Sequence, residues 1–417
     1  MFNYKEIANK MKTVARGLEM RPLIVQATES IGEMAENIDN NQKKLDEQFK
    51  NLVINEGNSN AEVAASRGSH DWLPDRLDNF DSQLEQIQNN YIEKHKIKYK
   101  AVSGTISHDY TITDDEIEIA KRNYLDLTVC VMVSVSSETD ENLTLLDDNL
   151  VLERLNKIKE KNVNITMLKP HIGLDFSDGF NRGNYDPLYK NLFFINWKNV
   201  LLHYAKMCND YDIPILCLSV EMVNLTKNTF NNYWKDIYKS IKNKYPNLLL
   251  IHAPKSWEFI RNDVEESLKW CDILASTFYA HYSYDTYNDT DTINTSELGN
   301  AFYNSDLSSF NFMKIVEERC KKYKKQFFFA EIGCMPLNDG LIDVIPPSFS
   351  GSLPCTLNHN VQGALYKSFF DNICTNENVC GFSIWHLREP FVFHDGIYSS
   401  LSKAEKVLNE YLEGGVI

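Results

Sequence analysis

Two glutamates, Glu221 and Glu331, each follow a short apolar run, PILCLSV and FFFA respectively. Burying an unpaired carboxylate is costly, so a glutamate in such a position needs a partner or a task. Two carboxyl groups at short range cannot both ionise easily, which leaves one acid and one carboxylate near neutral pH. That pair suits hydrolysis of a glycosidic bond, in which one group protonates the leaving oxygen and the other attacks the anomeric carbon or activates water.

The competing interpretation is that each glutamate pairs with a nearby Lys or Arg and has a purely structural role. Further polar and aromatic residues at the ends of neighbouring apolar runs favour a shared site instead. They are Lys169, His171, His252, Tyr279, His281, Trp385 and His386. His252 and His281 fit either substrate contact or structural hydrogen bonding.

Eight apolar or β-branched runs predict the strands that would position these residues. They are 100–106, 127–135, 164–172, 214–222, 247–254, 272–280, 326–333 and 379–387. A helical pattern follows each run, the clearest being DDNLVLERLNKIKEK and FNNYWKDIYKSIKNKY. Near-continuous apolar strands that alternate with helices predict an α/β fold with a (β/α)8 TIM barrel over residues 101–417.

An open, doubly wound sheet is the alternative, but no Gly-rich phosphate loop follows any predicted strand. In a barrel, the chemistry is found at the C-terminal ends of the strands. Glu221 follows the fourth predicted strand and Glu331 ends the seventh, so the two would face each other across the barrel mouth.

The barrel region resembles the clan A glycoside hydrolases, and within them family 113, which is known for β-mannanase activity. The segments that carry this resemblance are MLKPHIGL (167–174), INWKNVLLHYAKMCNDYDIPILCLSVEM (195–222), WKDIYKSIKNKYPNLLLIHA (234–253), FFFAEIG (327–333) and VCGFSIWHL (379–387). The resemblance implies that Glu221 is the general acid/base and Glu331 the nucleophile of a retaining mechanism.

The same resemblance implies roles for four more residues. Tyr279 would donate a hydrogen bond to the nucleophile, and Trp385 would stack on a sugar ring. Lys169 and His171 would line the site of the sugar that is attacked. One departure is Val220, where many clan members have Asn. An Asn there would donate to the sugar 2-hydroxyl, so the substrate of this chain is expected to differ.

Residues 1–100 predict an α-helical coiled-coil stalk that joins chains and attaches them to a partner. A heptad has two positions that face the partner helices and form the seam of a coiled coil. The first is occupied by Ile24, Ile31, Ile38, Leu45 and Leu52, and the second by Ala27, Met34, Asn41 and Gln48. A second heptad pattern covers 73–91. Heptads with polar residues in the seam indicate a parallel oligomer, and we expect a homotrimer more than a dimer. The alternative is one amphipathic helix packed on the barrel.

The join between the two heptad regions, AEVAASRGSHDWLPDRLDNFDSQL (61–84), resembles a segment of phage baseplate and tail-fibre proteins. The matching residues are Glu62, Val63, Ser66, Arg67, Gly68, Leu73, Arg76, Leu77 and Asp78. This resemblance implies phage tail or baseplate proteins as partners and the virion as the location, after synthesis in the host cytoplasm.

Composition sets limits on the other classes of partner. The 417 residues carry a formal net charge of −15, which argues against binding nucleic acid or an anionic membrane surface. The start, MFNYKEIANK, lacks the apolar core of a signal peptide. The nine cysteines show no metal-ligand spacing, and we expect mostly reduced core thiols, no metal and no cofactor.

The hypothesis is therefore a phage-associated glycoside hydrolase, of retaining and endo type, that cleaves a bacterial surface polysaccharide or glycosylated wall polymer. One alternative is a receptor-binding protein whose barrel binds sugar without cleaving it. A bacterial mannanase with an oligomerisation helix is the other.

Overall fold

The structure is a computed structural model that describes residues 97–413, except 178–179, 304–309 and 353, and also residues 37, 40–45 and 47. The chain divides into two units, Met1–Lys94 and His95–Ile417. The described residues of the first unit are helical. The rest of the predicted heptads at 24–52, and all of 61–84 and 73–91, lie outside the described residues.

Nine strands form the described sheet: β1 (Tyr99–Ile106), β2 (Asp126–Val135), β3 (Thr144–Leu145), β4 (Ile165–Leu174), β5 (Ile215–Val220), β6 (Leu249–Ala253), β7 (Leu274–Phe278), β8 (Phe327–Ile332) and β9 (Val379–Ile384). All eight predicted strands are present, with ends that differ from the predicted ones by three residues or fewer. The barrel begins at Tyr99, two residues before the predicted boundary.

The helices of the described residues follow the strands in alternation. They are α1 (Asp114–Arg122), α2 (Asp148–Glu160), α3 (Lys190–Asp210), α4 (Asn231–Lys244), α5 (Ser256–Phe259), α6 (Glu265–Leu268), α7 (Thr295–Tyr303), α8 (Phe312–Tyr323), α9 (His359–Asn372) and α10 (Lys403–Leu412). The sequence did not predict α5, α7 or the two-residue strand β3.

The strands pair in the order β6-β5-β4-β2-β1-β9-β8-β7, with every pair parallel, and β3 adds to β2 in antiparallel fashion. Beyond the ends of this path, Lys255 and Thr277 form a parallel bridge, and the Thr277 amide donates to the Pro254 carbonyl at 2.9 Å. The eight long strands therefore form a nearly closed TIM-like barrel.

The strands are buried on both faces, which explains their near-continuous apolar sequences. Successive side chains of β4 and β5 alternate between two layers. Met167 and Cys217 pack in the barrel interior, whereas Leu168 and Leu216 pack in the layer between strands and helices.

Capping residues at the N-termini of two helices explain where these helices begin. Thr113 caps α1 in a reciprocal pairing with Glu116, and Ser402 caps α10 in the same way with Glu405. None of the nine cysteines forms a disulfide and only Cys355 is exposed, as expected for core thiols. Among the described residues, no helix combines the length and apolar character needed to cross a membrane.

Candidate active site

Glu331 reaches the barrel interior because β8 carries one extra residue. In the register of β7 with β8, Ser276 pairs with Phe329, but the next residue, Thr277, pairs with Glu331. The residue between them, Ala330, has no opposite residue. Such a bulge redirects the side chain that follows it. Ala330 packs in the interior cluster, and Glu331 lines the cavity at the barrel mouth.

Both carboxylate oxygens of Glu331 have a donor. The Lys169 ammonium donates to Oε1 at 2.5 Å, and the Tyr279 hydroxyl donates to Oε2 at 2.8 Å. The hydrogen bond from Tyr279 is the one that the resemblance implied. Lys169 is fully buried and Glu331 is 5% exposed, so this pair lies where water screens little.

Burial and the charges of this cluster together shift the pKa values of Glu331, Lys169 and Tyr279. Burial raises the pKa of Glu331, the Lys169 ammonium opposes the rise, and the charge of Glu221 adds to it. Burial lowers the pKa of Lys169, but the charge of Glu331, the two thiols Cys130 and Cys217 and the hydrogen bond to Glu331 together raise it, and the net pKa is raised. Burial and the charge of Glu331 also raise the pKa of Tyr279 well above its ordinary value. Lys169 and Tyr279 therefore both remain donors to Glu331.

Glu221 directly follows β5 and adopts a φ of 51°, a left-handed conformation that is uncommon for residues with a side chain. The Thr277 hydroxyl donates to its Oε1 at 2.9 Å, and the Lys255 ammonium lies 3.5 Å from its Oε2. Its side chain is 18% exposed, compared with 7% for Glu331. Of the two carboxyl groups, Glu221 is the more accessible to solvent.

Thr277 connects the two glutamates. It donates to Glu221 and is also the register partner of Glu331 in the neighbouring strand. Register partners in a sheet lie about 5 Å apart. Both glutamates line one cavity of about 780 Å³ at the C-terminal ends of the strands. The structure thus brings together the two carboxylates that the sequence singled out.

An aromatic wall lies next to Glu331. The His171 ring stacks on Trp385 with ring centroids 5.8 Å apart and planes 9° apart. Arg182 Nη2 lies 2.7 Å from His171 Nδ1, and the Lys169 ammonium lies 5.1 Å from the centre of the Trp385 ring. Trp385 and His171 line the cavity, as the sequence predicted for substrate-binding residues.

His386 also lines the cavity, and its ring is fixed on both sides. Its Nε2 lies 2.9 Å from the Thr105 hydroxyl, and its Nδ1 accepts from the Arg388 amide at 3.1 Å. The Arg388 guanidinium pairs with Glu116 and stacks on Tyr110. This part of the wall is therefore rigid.

Three predicted substrate-binding residues do not line this cavity, and their contact with substrate stays a prediction. The Lys169 side chain points into the barrel interior and donates to Glu331, but it is not among the residues that line the cavity. His252 faces the helix layer, where it contacts Ser219 and packs edge-on against Trp234; burial lowers its pKa to about 3. His281 contacts the Ile342 carbonyl and is not part of the wall.

Sequence reasoning did not single out Arg182, Lys255, Trp257 and Thr277, which are among the residues of the cavity wall. Arg182 belongs to the loop after β4, and no sequence pattern gives the path of that loop. Thr277 looked like an ordinary strand residue. Lys255 and Trp257 directly follow β6, and their position after a strand was the one available signal.

The arrangement supplies two differently held carboxyl groups, a phenol donor and an indole face. An oriented, weakly solvated carboxylate can act as a nucleophile, and a more accessible carboxyl can exchange a proton. Among the described residues, no group of three or more His, Cys, Asp or Glu side chains could hold a metal ion.

Solved structures with a similar fold are glycoside hydrolases. A structure titled "GH113 beta-1,4-mannanase" superposes with a TM-score of 0.56 at 16% identity, over 76% of this chain and 98% of that one. The GH113 β-mannanase AaManA from Alicyclobacillus acidocaldarius, in complex with ManMIm, gives 0.55 at 13% identity, over 77% and 97%. No curated protein matches the sequence significantly.

The family assignment comes from a sequence model, since identities this low show the fold alone. The model of Glycoside Hydrolase Family 113 matches residues 132–396, which is well over half of the chain and includes both glutamates. The chain therefore belongs to glycoside hydrolase family 113 and is a glycosidase.

Proposed function

We propose that the barrel hydrolyses its glycoside with retention of configuration, with Glu331 as nucleophile and Glu221 as general acid/base. The observation that carries this proposal is that the two carboxyl groups differ in their solvent exposure and in their hydrogen-bond partners. Glu331 is buried and held by Lys169 and Tyr279, whereas Glu221 is more exposed and held by Thr277.

The reaction proceeds in two steps. Glu331 attacks the anomeric carbon while Glu221 donates its proton to the leaving oxygen, which gives a glycosyl-enzyme and releases the first product. Glu221 then takes a proton from water, and the water oxygen displaces Glu331 from the anomeric carbon. Glu221 must change protonation state twice per cycle, which its greater solvent exposure permits.

Lys169 and Tyr279 stabilise the carboxylate form of Glu331 before attack and when it departs in the second step. Hydrogen bonds to a charged group contribute about 1.5–3 kcal/mol each. Trp385 offers its face to a sugar ring, and His171 packs behind it.

The substrate that we propose is a bacterial surface polysaccharide or glycosylated wall polymer, cleaved within the chain. The similar solved structures are described as β-mannanases, so β-1,4-mannan is the natural reference compound. Val220 is buried in the barrel interior, directly before Glu221. It offers no donor to a sugar hydroxyl there, which supports a substrate other than plain mannan.

We further propose that the N-terminal region forms a homotrimeric coiled coil that attaches the enzyme to a phage tail or baseplate. Support comes from the heptads at 24–52 and 73–91 and from the tail-protein-like segment at 61–84. The enzyme would then act from the virion on the host surface after synthesis in the host cytoplasm.

The experiment that tests this function is a screen for new reducing ends on bacterial wall polymers and defined glycans, including β-1,4-mannan. The parent chain should release them, and Glu331→Ala should not. A parent chain that binds a polymer but releases no reducing ends would support a receptor-binding protein instead.

A further inference from the structure

Lys255 is a cation of the cavity wall that the catalytic roles described above leave without a function. It directly follows Pro254 at the end of the β6 segment and bridges to Thr277 through its backbone. Its ammonium lies 3.5 Å from Glu221 Oε2, and its side chain is 29% exposed. An ammonium group carries three donors. The contact with Glu221 is long, so Lys255 can still bind a further partner.

The other cations at this site are engaged within the protein. Lys169 donates to Glu331 behind the wall, Arg388 pairs with Glu116, and Arg182 contacts His171. An acidic residue, Glu389, also lines the cavity. Among the described residues that line the cavity, Lys255 is thus a cation whose ion pair is long, at 3.5 Å from Glu221 Oε2.

The position of Lys255 relative to the two glutamates defines which sugar it would meet. A general acid lies beside the leaving oxygen, so the sugar beyond the cleaved bond lies on the Glu221 side. Trp257, in α5, lines the cavity on that same side and is 43% exposed. An exposed indole next to an ammonium group offers an apolar face and a positive charge to one sugar ring.

We propose that Lys255 and Trp257 form a subsite for an acidic sugar on the leaving-group side of the cleaved bond. This inference rests on the proposed function and makes its substrate class an anionic polysaccharide. The acidic group is a carboxylate or a phosphate, since an ammonium group binds both.

Two oligosaccharides with the same backbone test the proposal. β-1,4-linked mannohexaose and hexamannuronate differ only at C6, where the second carries carboxylates. Calorimetry on Glu331→Ala, which is expected to bind without turnover, should show hexamannuronate binding at least about tenfold tighter at low salt, equivalent to about 1.4 kcal/mol. A 6-phosphorylated mannohexaose distinguishes the two sources of charge, because the tighter anionic ligand identifies the group.

The double variant Glu331→Ala, Lys255→Met should lose this preference, whereas Trp257→Ala should weaken both oligosaccharides alike. Lys321→Met is the matched control, since Lys321 is exposed in the last turn of α8 and should leave the preference unchanged. Circular dichroism would verify that each variant is folded.

Equal binding of the neutral and acidic oligosaccharides, or no binding of either, would overturn the subsite. So would a preference that survives Lys255→Met. Failure of the proposed function looks different, because a parent chain that releases no reducing ends from any polymer could still prefer the acidic oligosaccharide.

Discussion

At the scale of single residues, the Lys169–Glu331 pair determines whether Glu331, the proposed nucleophile, is charged. Lys169 is fully buried and has Glu331 as its ionic partner, while burial alone would favour a neutral Glu331. Removing one member of a buried pair leaves the other charge uncompensated. The nucleophile must be ionised to attack, so this pair controls the lower end of the pH range of activity.

Lys169→Met should therefore shift the acidic limb of the kcat/KM–pH profile to higher pH. The limb moves to higher pH because burial raises the pKa of Glu331 and the Lys169 ammonium opposes this rise. Removing the ammonium removes the opposition. The profile would be measured on the polymer that the screen identifies.

Tyr279→Phe is the matched comparison, since it removes a neutral donor from the same carboxylate. It should lower kcat/KM about 10- to 100-fold, as expected for a hydrogen bond to a charged group, with a smaller displacement of the acidic limb. If the acidic limb lies at the same pH in Lys169→Met and in the parent, Lys169 does not control the ionisation of Glu331.

Sequence reasoning found the two glutamates, Tyr279 and Trp385 because the ends of parallel strands meet at one face of a barrel. The resemblance implied that Lys169 lines the sugar site, but alternation along β4 directs its side chain inward, to Glu331. The sequence could not place His252, because a strand end alone does not tell which layer a side chain faces. The structure settles the question: Ile251 packs inside the barrel and His252 outside.

At the scale of elements, irregularities in the strands position the catalytic groups. The bulge at Ala330 turns Glu331 inward, and a second register shift lies in β5 between Cys217 and Val220, just before Glu221. The apolar runs predicted that these strands exist. They could not predict the bulges, because the sequence of a bulged strand looks like that of a regular one.

Glu258 joins the two loops that carry Glu221 and Lys255. It is fully buried, accepts from the Thr226 hydroxyl in the loop after β5, and accepts from the Lys255 amide at 3.3 Å. Burial raises its pKa to about 7, although both hydrogen bonds oppose the rise.

This pKa predicts a loss of stability as the pH rises. Below a pH of about 4.5 the carboxyl of Glu258 is protonated in the folded and the unfolded chain alike. Between there and pH 7 only the unfolded chain releases the proton, so the free energy of unfolding decreases through this window and levels off above it. Glu258→Gln stays neutral and should lack this contribution.

The stability of Glu258→Gln relative to the parent should therefore increase with pH across that window, by up to about 3 kcal/mol. Urea unfolding at several pH values would measure this difference, and comparison with the parent cancels the titration of the other carboxyl groups. A difference that is constant with pH would show that Glu258 titrates normally.

At the scale of the whole molecule, the two units of the chain are expected to have different functions. We predict that the full chain is a parallel trimer in solution and that residues 95–417, which contain the complete barrel from β1 onward, are monomeric. Light scattering of both would measure this. A monomeric full-length chain would contradict the coiled-coil stalk and leave the barrel assignment intact.

Glu331 and Glu221 are proposed to have separate roles in a retaining mechanism. The most direct measurement is the turnover of an activated aryl glycoside of the identified sugar by Glu221→Ala, with and without azide. The aryl group leaves without an acid, so the glycosyl-enzyme should still form on Glu331, and azide, which needs no base, should then release it. We predict that azide restores turnover of Glu221→Ala and yields a glycosyl azide with the configuration of the substrate. Glu331→Ala should show no turnover without azide, and any glycosyl azide that it forms should have the inverted configuration, because azide then attacks the anomeric carbon directly. No effect of azide, or an azide product of inverted configuration from Glu221→Ala, would contradict the account.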